Sequence, residues 1–418
     1  MNKIFSFFKK HSWVLVVIAL LVFIPQSFSY QAKLNTRVIV TGLAIDKVEQ
    51  GYEITAQTIL PVNGSEAGGS GAKLGFISET GNSFAEGIKK ISYKIGKTAG
   101  LSHVNFLIVG HKMLEDNLAL ALDYVIRDHR INSSILMLIS PNSAKEMIKQ
   151  TKDLQLSVAV GLQKIFINKQ ESLNGANLTV EEFLNESYGI SKSSLVSQID
   201  IKTEQESEEK SSPSQNSSTS SSKGSGSAGL ESEQKGRIEF YNDIYYFKGG
   251  RVVNKFSQEQ ELLGVFFADT VDSNGELKIQ NVNSSLLKNA TVGLTFRRKE
   301  TKRRIKFKNG KPVLSLKIKI KDLEINEILN QGEPNINLYN VYSEETINAI
   351  EDQIKSQVKK YIVSAYEQAK KDQVDIFNIG QTAYQYHPKK WQKFYEKYGE
   401  NYLSQTEIEV QTEVQVIS

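Results

Sequence analysis

Hydrophobic and polar positions divide the chain into four regimes. The first is an apolar run from Trp13 to Ile24 with no charge, glycine or proline. A lone membrane-spanning helix needs roughly 20 apolar residues, whereas the apolar centre of an export signal needs about 7–15. Lys9 and Lys10 precede the run, Pro25 ends it, and Ser27-Phe28-Ser29 supplies a small-x-small cleavage pattern. Residues 1–30 are therefore expected to be a signal or signal-anchor, with Lys9, Lys10, Trp13, Leu15, Leu20 and Ile24 as its flank and apolar body. Uncleaved anchorage stays open, because Phe5, Phe7, Phe8 and Phe28 extend the greasy stretch.

The second regime, to residue 150, alternates strands with helices. "RVIVTGLAIDK" and "YEITAQTIL" read as strands joined through the turn "VEQG". "NGSEAGGSGAKLG" is a loop; it lacks the spacing and context of a phosphate cradle. Ser83 with Glu86 forms a capping-box signal ahead of a helix whose stripe is Phe84, Ile88, Ile91 and Ile95. "HVNFLIVG" and "SSILMLIS" read as buried strands, "NLALALDYVIRD" and "SAKEMIKQ" as helices. Such alternation favours a mixed or parallel α/β layer. Residues 151–202 read as mostly helical, most clearly in "VEEFLNESYG".

The third regime, residues 203–236, holds only Ala228 and Leu230 as apolar groups and reads as a disordered serine-rich insert. In the fourth, "DIYYFKGGRVVNKF" reads as a hairpin turning at Gly249-Gly250, followed by a short helix opened by Ser257. Asn309-Gly310 marks a second hairpin turn. A long helix starts at Ser343, with Ile347, Ile350, Ile354, Val358, Ile362, Ala365 and Ala369 on one face. "TEIEVQTEVQV" alternates with period two and is expected to join the preceding sheet.

Composition changes this picture little. The chain has 418 residues, 39% hydrophobic and 23% charged, which suits two or three globular domains. A net charge of +4 is too weak to imply nucleic acid. The absence of cysteine excludes disulfides, thiolate metal sites and cysteine nucleophiles. His103 and His111 flank one strand, about 27 Å apart by strand rise, and no HExxH or GxSxG pattern occurs, so no metal, cofactor or catalytic residue is expected. The strongest charge feature is "RRKETKRRIKFKNGK", residues 297–311, with nine Lys/Arg and one Glu. It reads either as a solvated edge strand or as a cationic face for a membrane or partner surface, with Arg297, Arg298, Lys302, Arg303 and Arg304 as the contact residues.

Several blocks then occur in a telling order. The stretch carrying Ile45-Asp46-Lys47, Tyr52, Gln57 and Pro61 resembles the opening of the Ger(x)C family, the C subunits of GerA-type nutrient germinant receptors. The segments holding Gly100, His103, Gly110, Asp123, Arg127 and Asp128 continue the likeness, as do "IYYFKGGRVVNKFSQEQELLGVFF" and "QVDIFNIGQTAYQYHPKKWQKF". Together they span nearly all of residues 34–418. The resemblance implies three mixed α/β domains, no catalytic activity, and a complex with membrane-embedded A and B subunits on the outer face of the spore inner membrane. Family members usually carry a lipidated cysteine; this chain has none, so a signal-anchor is expected to replace it.

The expected fold is thus α+β: three mixed α/β domains, each with a central β-sheet flanked by helices, after the signal or anchor helix. The expected domains are 34–150, 151–275 (with the insert 203–236) and 276–418, the last with helix 343–371 and the terminal strand. Gly42 and Gly110 are expected to permit close packing or strand ends. Arg127-Asp128 is expected to cap its helix or tie it to a neighbouring strand, and Trp391 to pack; Asp46 completes this set of family-motif positions, and subunit contacts are the alternative role. The expected function is that of a non-catalytic, membrane-associated receptor subunit in spore germination. The rival is an independently anchored exported solute-binding protein or surface hydrolase, which a deep pocket with converging carboxylates or histidines would favour.

Overall fold

A computed structural model describes residues 37–61, 72–132, 134–150, 178–202, 237–239, 243–329 and 342–417. The expected leader, with Lys9, Lys10, Trp13, Leu15, Leu20 and Ile24, lies outside the described residues, as do most of the glycine-rich loop and the insert 203–236. Among the described residues no helix is long and apolar enough to cross a membrane.

Strands β1 (Arg37–Lys47), β2 (Tyr52–Pro61) and β3 (Ala72–Gly81) form an antiparallel meander. The short β4 (Thr98–Gly100) and β5 (Phe106–Val109) pair parallel to β1, and β6 (Leu136–Ile139) parallel to β5. Parallel neighbours require crossovers, supplied by α1 (Phe84–Ile95) and α2 (Leu118–Arg127). Ser83 caps α1 by accepting from the Glu86 amide, as its sequence signal implied. β1 is buried on both faces, so its apolar run is nearly continuous. Leu43 and Ile45 pack with α1 and α2, whereas Ala44 packs with α3 (Ala144–Gln150) on the opposite side.

Helix α4 (Val180–Tyr188) opens with a complete Thr179–Glu182 capping box. It leads into β7 (Ser193–Ser197), then a ribbon of β8 (Asp200–Lys202) and β9 (Arg237–Glu239), then β10 (Ile244–Lys248) and β11 (Arg251–Phe256). The β10–β11 turn falls at Gly249-Gly250, both at positive φ. A mostly helical reading of 151–202 fails over β7, which pairs with β10 to give the sheet β11-β10-β7. The reason is packing on both faces. On β10, Tyr245 and Phe247 join the core of the first sheet, while Ile244 and Tyr246 join that of the last.

Helix α5 (Glu259–Ala268) begins after Gln258, not Ser257, and has no side-chain cap. The last sheet has the order β12-β13-β14-β15: β12 (Ser273–Val282), β13 (Ala290–Lys308) and β14 (Lys311–Leu329) are antiparallel, and β15 (Glu407–Val416) returns parallel to β14. Asn309-Gly310 turns the long hairpin, with both residues at positive φ. Helix α6 (Glu344–Lys371), capped by Ser343, lays Ile350, Ile354, Val358, Ile362, Ala365 and Ala369 onto the core. Gly264 lets α5 cross α6 closely: a Cβ there would lie 2.2 Å from the Tyr361 carbonyl oxygen. Helices α7 (Ile379–Tyr386) and α8 (Pro388–Tyr398) and a 3-10 turn (Gly399–Gln405) close the end of the sheet.

One irregularity directs the chemistry. On β13 the buried positions run Ala290, Val292, Leu294, Phe296 and then Lys299, Thr301, a three-residue step that flips the alternation. β14 makes the matching step between Ile320 and Leu323, with Asp322 at positive φ. Because strand side chains alternate with period two, the step exchanges which residues face the same core: odd-numbered positions take over after Phe296 on β13 and after Ile320 on β14.

Candidate functional site

The flipped alternation turns Lys299, Thr301 and Arg303 inward, against the end of α5. A helix leaves its last carbonyls without helical partners, and cations are favoured there. Lys299 Nζ donates to the Phe266 and Asp269 carbonyls at 3.0 and 2.7 Å, and Thr301 Oγ1 donates to Phe267 at 2.8 Å. The Arg303 guanidinium donates to Ala268 at 3.1 Å and to Phe377 at 2.8 Å. One strand thus caps one helix with three alternate side chains. Burial pushes the Lys299 ammonium down to about 8 and also lowers Arg303, the latter opposed by Asp269, Asp375 and Glu186.

Arg303 also lines a crevice of about 340 Å³ between α4, β7 and β10 on one side and α5, β13 and the loop before α7 on the other. Leu195, Ile244, Leu262, Val265 and Phe266 form its apolar walls; Glu182, Glu186, Asp269, Ser194, Ser273 and Asn378 are its polar ones. The buried Ser194 and Ser273 hydroxyls and Arg303 Nε have no hydrogen-bond partner among the described residues. Burial raises the Glu186 carboxyl to about 7, a shift opposed chiefly by a hydrogen bond with Asn378. Behind the crevice, Asp375 is 2% exposed and accepts from Ser191 Oγ (2.8 Å), Tyr402 OH (2.7 Å) and the amides of Ile379 (2.8 Å) and Gly380 (2.7 Å). Among the described residues no cluster of three or more His, Asp or Glu is placed to hold a metal ion.

Of the two readings of 297–311, a solvated edge or a cationic contact face, the contact face is therefore corrected at Arg303. Arg303 points into the protein, where the carbonyls of α5 hold it, and Lys299 does the same. Arg297 pairs with Glu324, and Arg298 with Asp272 and Glu300; Lys302 and Arg304 are exposed. On the hairpin, Lys321 pairs with Glu300, Lys317 and Lys319 with Glu413, and Lys308, beside the turn, with Glu409, while Lys302 and Lys306 appear in no ion pair among the described residues. Further lysines without an ion pair gather around the tip. Lys311, Lys390, Lys393 and Lys397 surround a groove with Phe307, Phe394 and Tyr398 and appear in no ion pair among the described residues. The α8 lysines escaped the sequence reading because they are spread along a helix, although positions 390, 393 and 397 share one face.

Comparison with known families bears on what this architecture belongs to. The family model described as "Spore germination protein N-terminal domain" matches residues 30–201, and that described as "Spore germination B3/ GerAC like, C-terminal" matches residues 242–418. The chain belongs to this spore germination family. Within the GerAC-like family it is 21% identical to "Spore germination protein KC" of Bacillus subtilis (strain 168) over 399 residues, 92% of this chain and 90% of that protein. It is 24% identical to "Putative spore germination protein YfkR" of the same organism over 143 residues, 33% of this chain and 37% of that one. The fold matches the "Crystal Structure of the GerBC protein" with a TM-score of 0.51 at 15% identity, covering 90% of this chain and 97% of that one.

The GerAC-like motif positions have local structural surroundings. Asp46 reaches from β1 to the start of α3, accepting from the Ala144 and Lys145 amides at 2.8 and 2.7 Å and from Ser143 Oγ at 3.1 Å. Gly110 makes room for it: a Cβ there would sit 2.0 Å from Asp46 Oδ1. A Cβ on Gly42 would lie 2.2 Å from the Phe106 ring. Asp128 ends α2 and binds Arg130 and Tyr124, whereas Arg127, 75% exposed, pairs with Asp123 on the same helix. Both sets of contacts are local: of the two expected roles, cap or strand tie, Asp128 stands at the C-cap position of α2 and the contacts stay within the helix and its end. Trp391 is buried against Phe394, Tyr395 and Tyr402.

Proposed function

We propose that this protein is a non-catalytic, membrane-associated subunit of a nutrient germinant receptor, acting in spore germination. The ordered match of both GerAC-like family models along the chain carries the reading. It is held on the extracytoplasmic face of the spore inner membrane by its apolar N-terminal segment, since a lipidated cysteine is unavailable to a cysteine-free chain. Its partners are membrane-embedded A and B subunits and the lipid surface. The unmatched lysines at the hairpin tip and on α8 support the lipid contact: each basic side chain near an anionic leaflet contributes about 1 kcal/mol, and Tyr398 and Phe307 suit the interfacial zone.

Deletion of the reading frame, with germination scored across amino acids, sugars and nucleosides, tests the role. Loss of response to at least one nutrient class is expected; normal responses to all would overturn it. Spore fractionation with N-terminal sequencing tests the anchor separately. A soluble product beginning near Tyr30 would exclude it.

A further inference from the structure

An open sheet ends in strands whose outer backbone groups pair with another chain unless something covers them. Most edges of this protein are covered. The Ser78 and Thr80 carbonyls of β3 accept from Lys94 and Lys90 of α1. β6 is covered by bonds from Met137 to the Leu178 carbonyl and from Ile199 to the Ile139 carbonyl. The Gln280 carbonyl of β12 accepts from Gln353 and Gln357 of α6, and the β12 ladder is irregular near both ends. β11 is short, irregular and charged at Arg251 and Lys255. β15 differs. It pairs with β14 on one side, and from Glu407 to Gln415 none of its backbone groups bonds anything else among the described residues; Glu351 takes the Val416 amide at the far end. We infer that this edge is an interface between two copies of the chain, joined antiparallel about a two-fold axis at Thr412.

The strand's own sequence selects a second copy as the partner. Residues 408–416 read "IEVQTEVQV", close to a palindrome about Thr412. Side chains alternate faces with period two, and residues opposed across an antiparallel pair share a face. An axis at Thr412 therefore sets Ile408 against Val416 and Val410 against Val414 in the half-buried row that packs on the core. In the outer row it sets Glu409 against Gln415 and Gln411 against Glu413, and Thr412 meets its own copy. β-Branched and Thr–Thr pairs are favourable cross-strand neighbours, whereas like charges directly opposite are not. Moving the axis by one residue breaks the match. At Gln411 it opposes Glu409 to Glu413, and at Glu413 it opposes that glutamate to itself. Within each chain Lys308 pairs with Glu409, and Lys317 and Lys319 with Glu413, so these carboxylates bring no net repulsion to the edge. The dimer is isologous and makes the two four-stranded sheets continuous. It goes beyond the receptor role proposed above and does not depend on it, since self-association is measured on the purified chain alone.

The test is analytical ultracentrifugation of the full chain in mild detergent, joined to single-cysteine cross-linking, which the cysteine-free sequence makes clean. The sedimenting mass is expected to rise with concentration towards that of two chains. Gln411→Glu, at an exposed position, opposes a glutamate to Glu413 of the second copy. It is expected to weaken the dimer about tenfold at an unchanged melting temperature. Gln415→Lys, opposite Glu409, is expected to tighten it. Under oxidation by diamide, Thr412→Cys is expected to give a disulfide-linked dimer, because only a residue on the axis meets itself. Val410→Cys, about 14 Å from its own copy by strand rise and spacing, is expected to stay unlinked. Cross-linking of Val410→Cys as readily as Thr412→Cys, or a dimer indifferent to Gln411→Glu, would overturn the inference. So would a monomer at every concentration up to about 0.5 mM, which would leave the edge to a strand of another protein.

Discussion

Asp375 offers the sharpest test of how the last third of the chain is held. Its carboxylate accepts from two hydroxyls and two backbone amides on three separate segments, and it is 2% exposed. In Asp375→Ala the Ser191 and Tyr402 hydroxyls can turn to other acceptors, but the amides of Ile379 and Gly380 are fixed by α7. Each buried donor left unpaired costs about 1–3 kcal/mol. The two amides alone give roughly 2–6 kcal/mol, and the lost counter-charge to the buried Arg303 adds to that. At least about 4 kcal/mol is expected for Asp375→Ala, a large part of the roughly 5–15 kcal/mol typical of a folded domain. Asp375→Asn keeps one acceptor oxygen and should cost about half as much. Urea unfolding followed by tryptophan fluorescence suits the measurement, because Trp391 packs on Tyr402, one of the donors. A midpoint for Asp375→Ala within about 1 kcal/mol of the parent, at unchanged slope, would refute the assignment of Asp375 as the organising acceptor.

Three further outcomes are expected. Glu186 titrates near 7 in the fold against 4.5 for an ordinary glutamate, so the folded state binds more protons between those values and its stability falls as pH rises through them; Glu186→Gln should therefore be neutral at pH 5 and stabilising by about 2 kcal/mol at pH 8, and a constant difference across that range would contradict the shift. Gly110→Ala should cost about 1–3 kcal/mol by displacing Asp46, and Asp46→Ala about 1–2 kcal/mol by uncapping α3; in the double variant the losses should fall short of their sum, and strict additivity would show that the two do not share one space. Changing Lys390, Lys393 and Lys397 to Gln should lower partition onto anionic vesicles about 100-fold at low salt, while the same change at the Glu413-paired Lys317 and Lys319 should do little; equal losses from both sets would leave the hairpin tip without a special role.

Much of the fold was legible because its signals are local. Ser83, Ser343 and Asn309-Gly310 each announce a cap or turn through their own chemistry, and the structure has them in those roles. β7 was missed because its ladder partner, β10, lies some fifty residues away beyond the serine-rich insert. The basic run was misread at Arg303, one of its named contact residues, for a different reason. Lys299 and Arg303 look outward on any reading that assigns charge to solvent, and nothing nearby signals that α5, thirty residues earlier, presents carbonyls to them. The one available hint was period-two spacing: Lys299, Thr301 and Arg303 are three donors on one face of a strand. Asp375 sat inside a recognised block, yet its role depends on Ser191 and Tyr402, which only the fold assembles.

The divided loyalty of β10 has a mechanical consequence. Tyr245 and Phe247 are rooted in one core, Ile244 and Tyr246 in the other, and β7 repeats the division through Val196 and Leu195. No slip of this strand can relax one core without shearing its neighbour, so the halves on either side should melt together and shift together. A push delivered to the first sheet would reach the last core through four adjacent side chains of one strand.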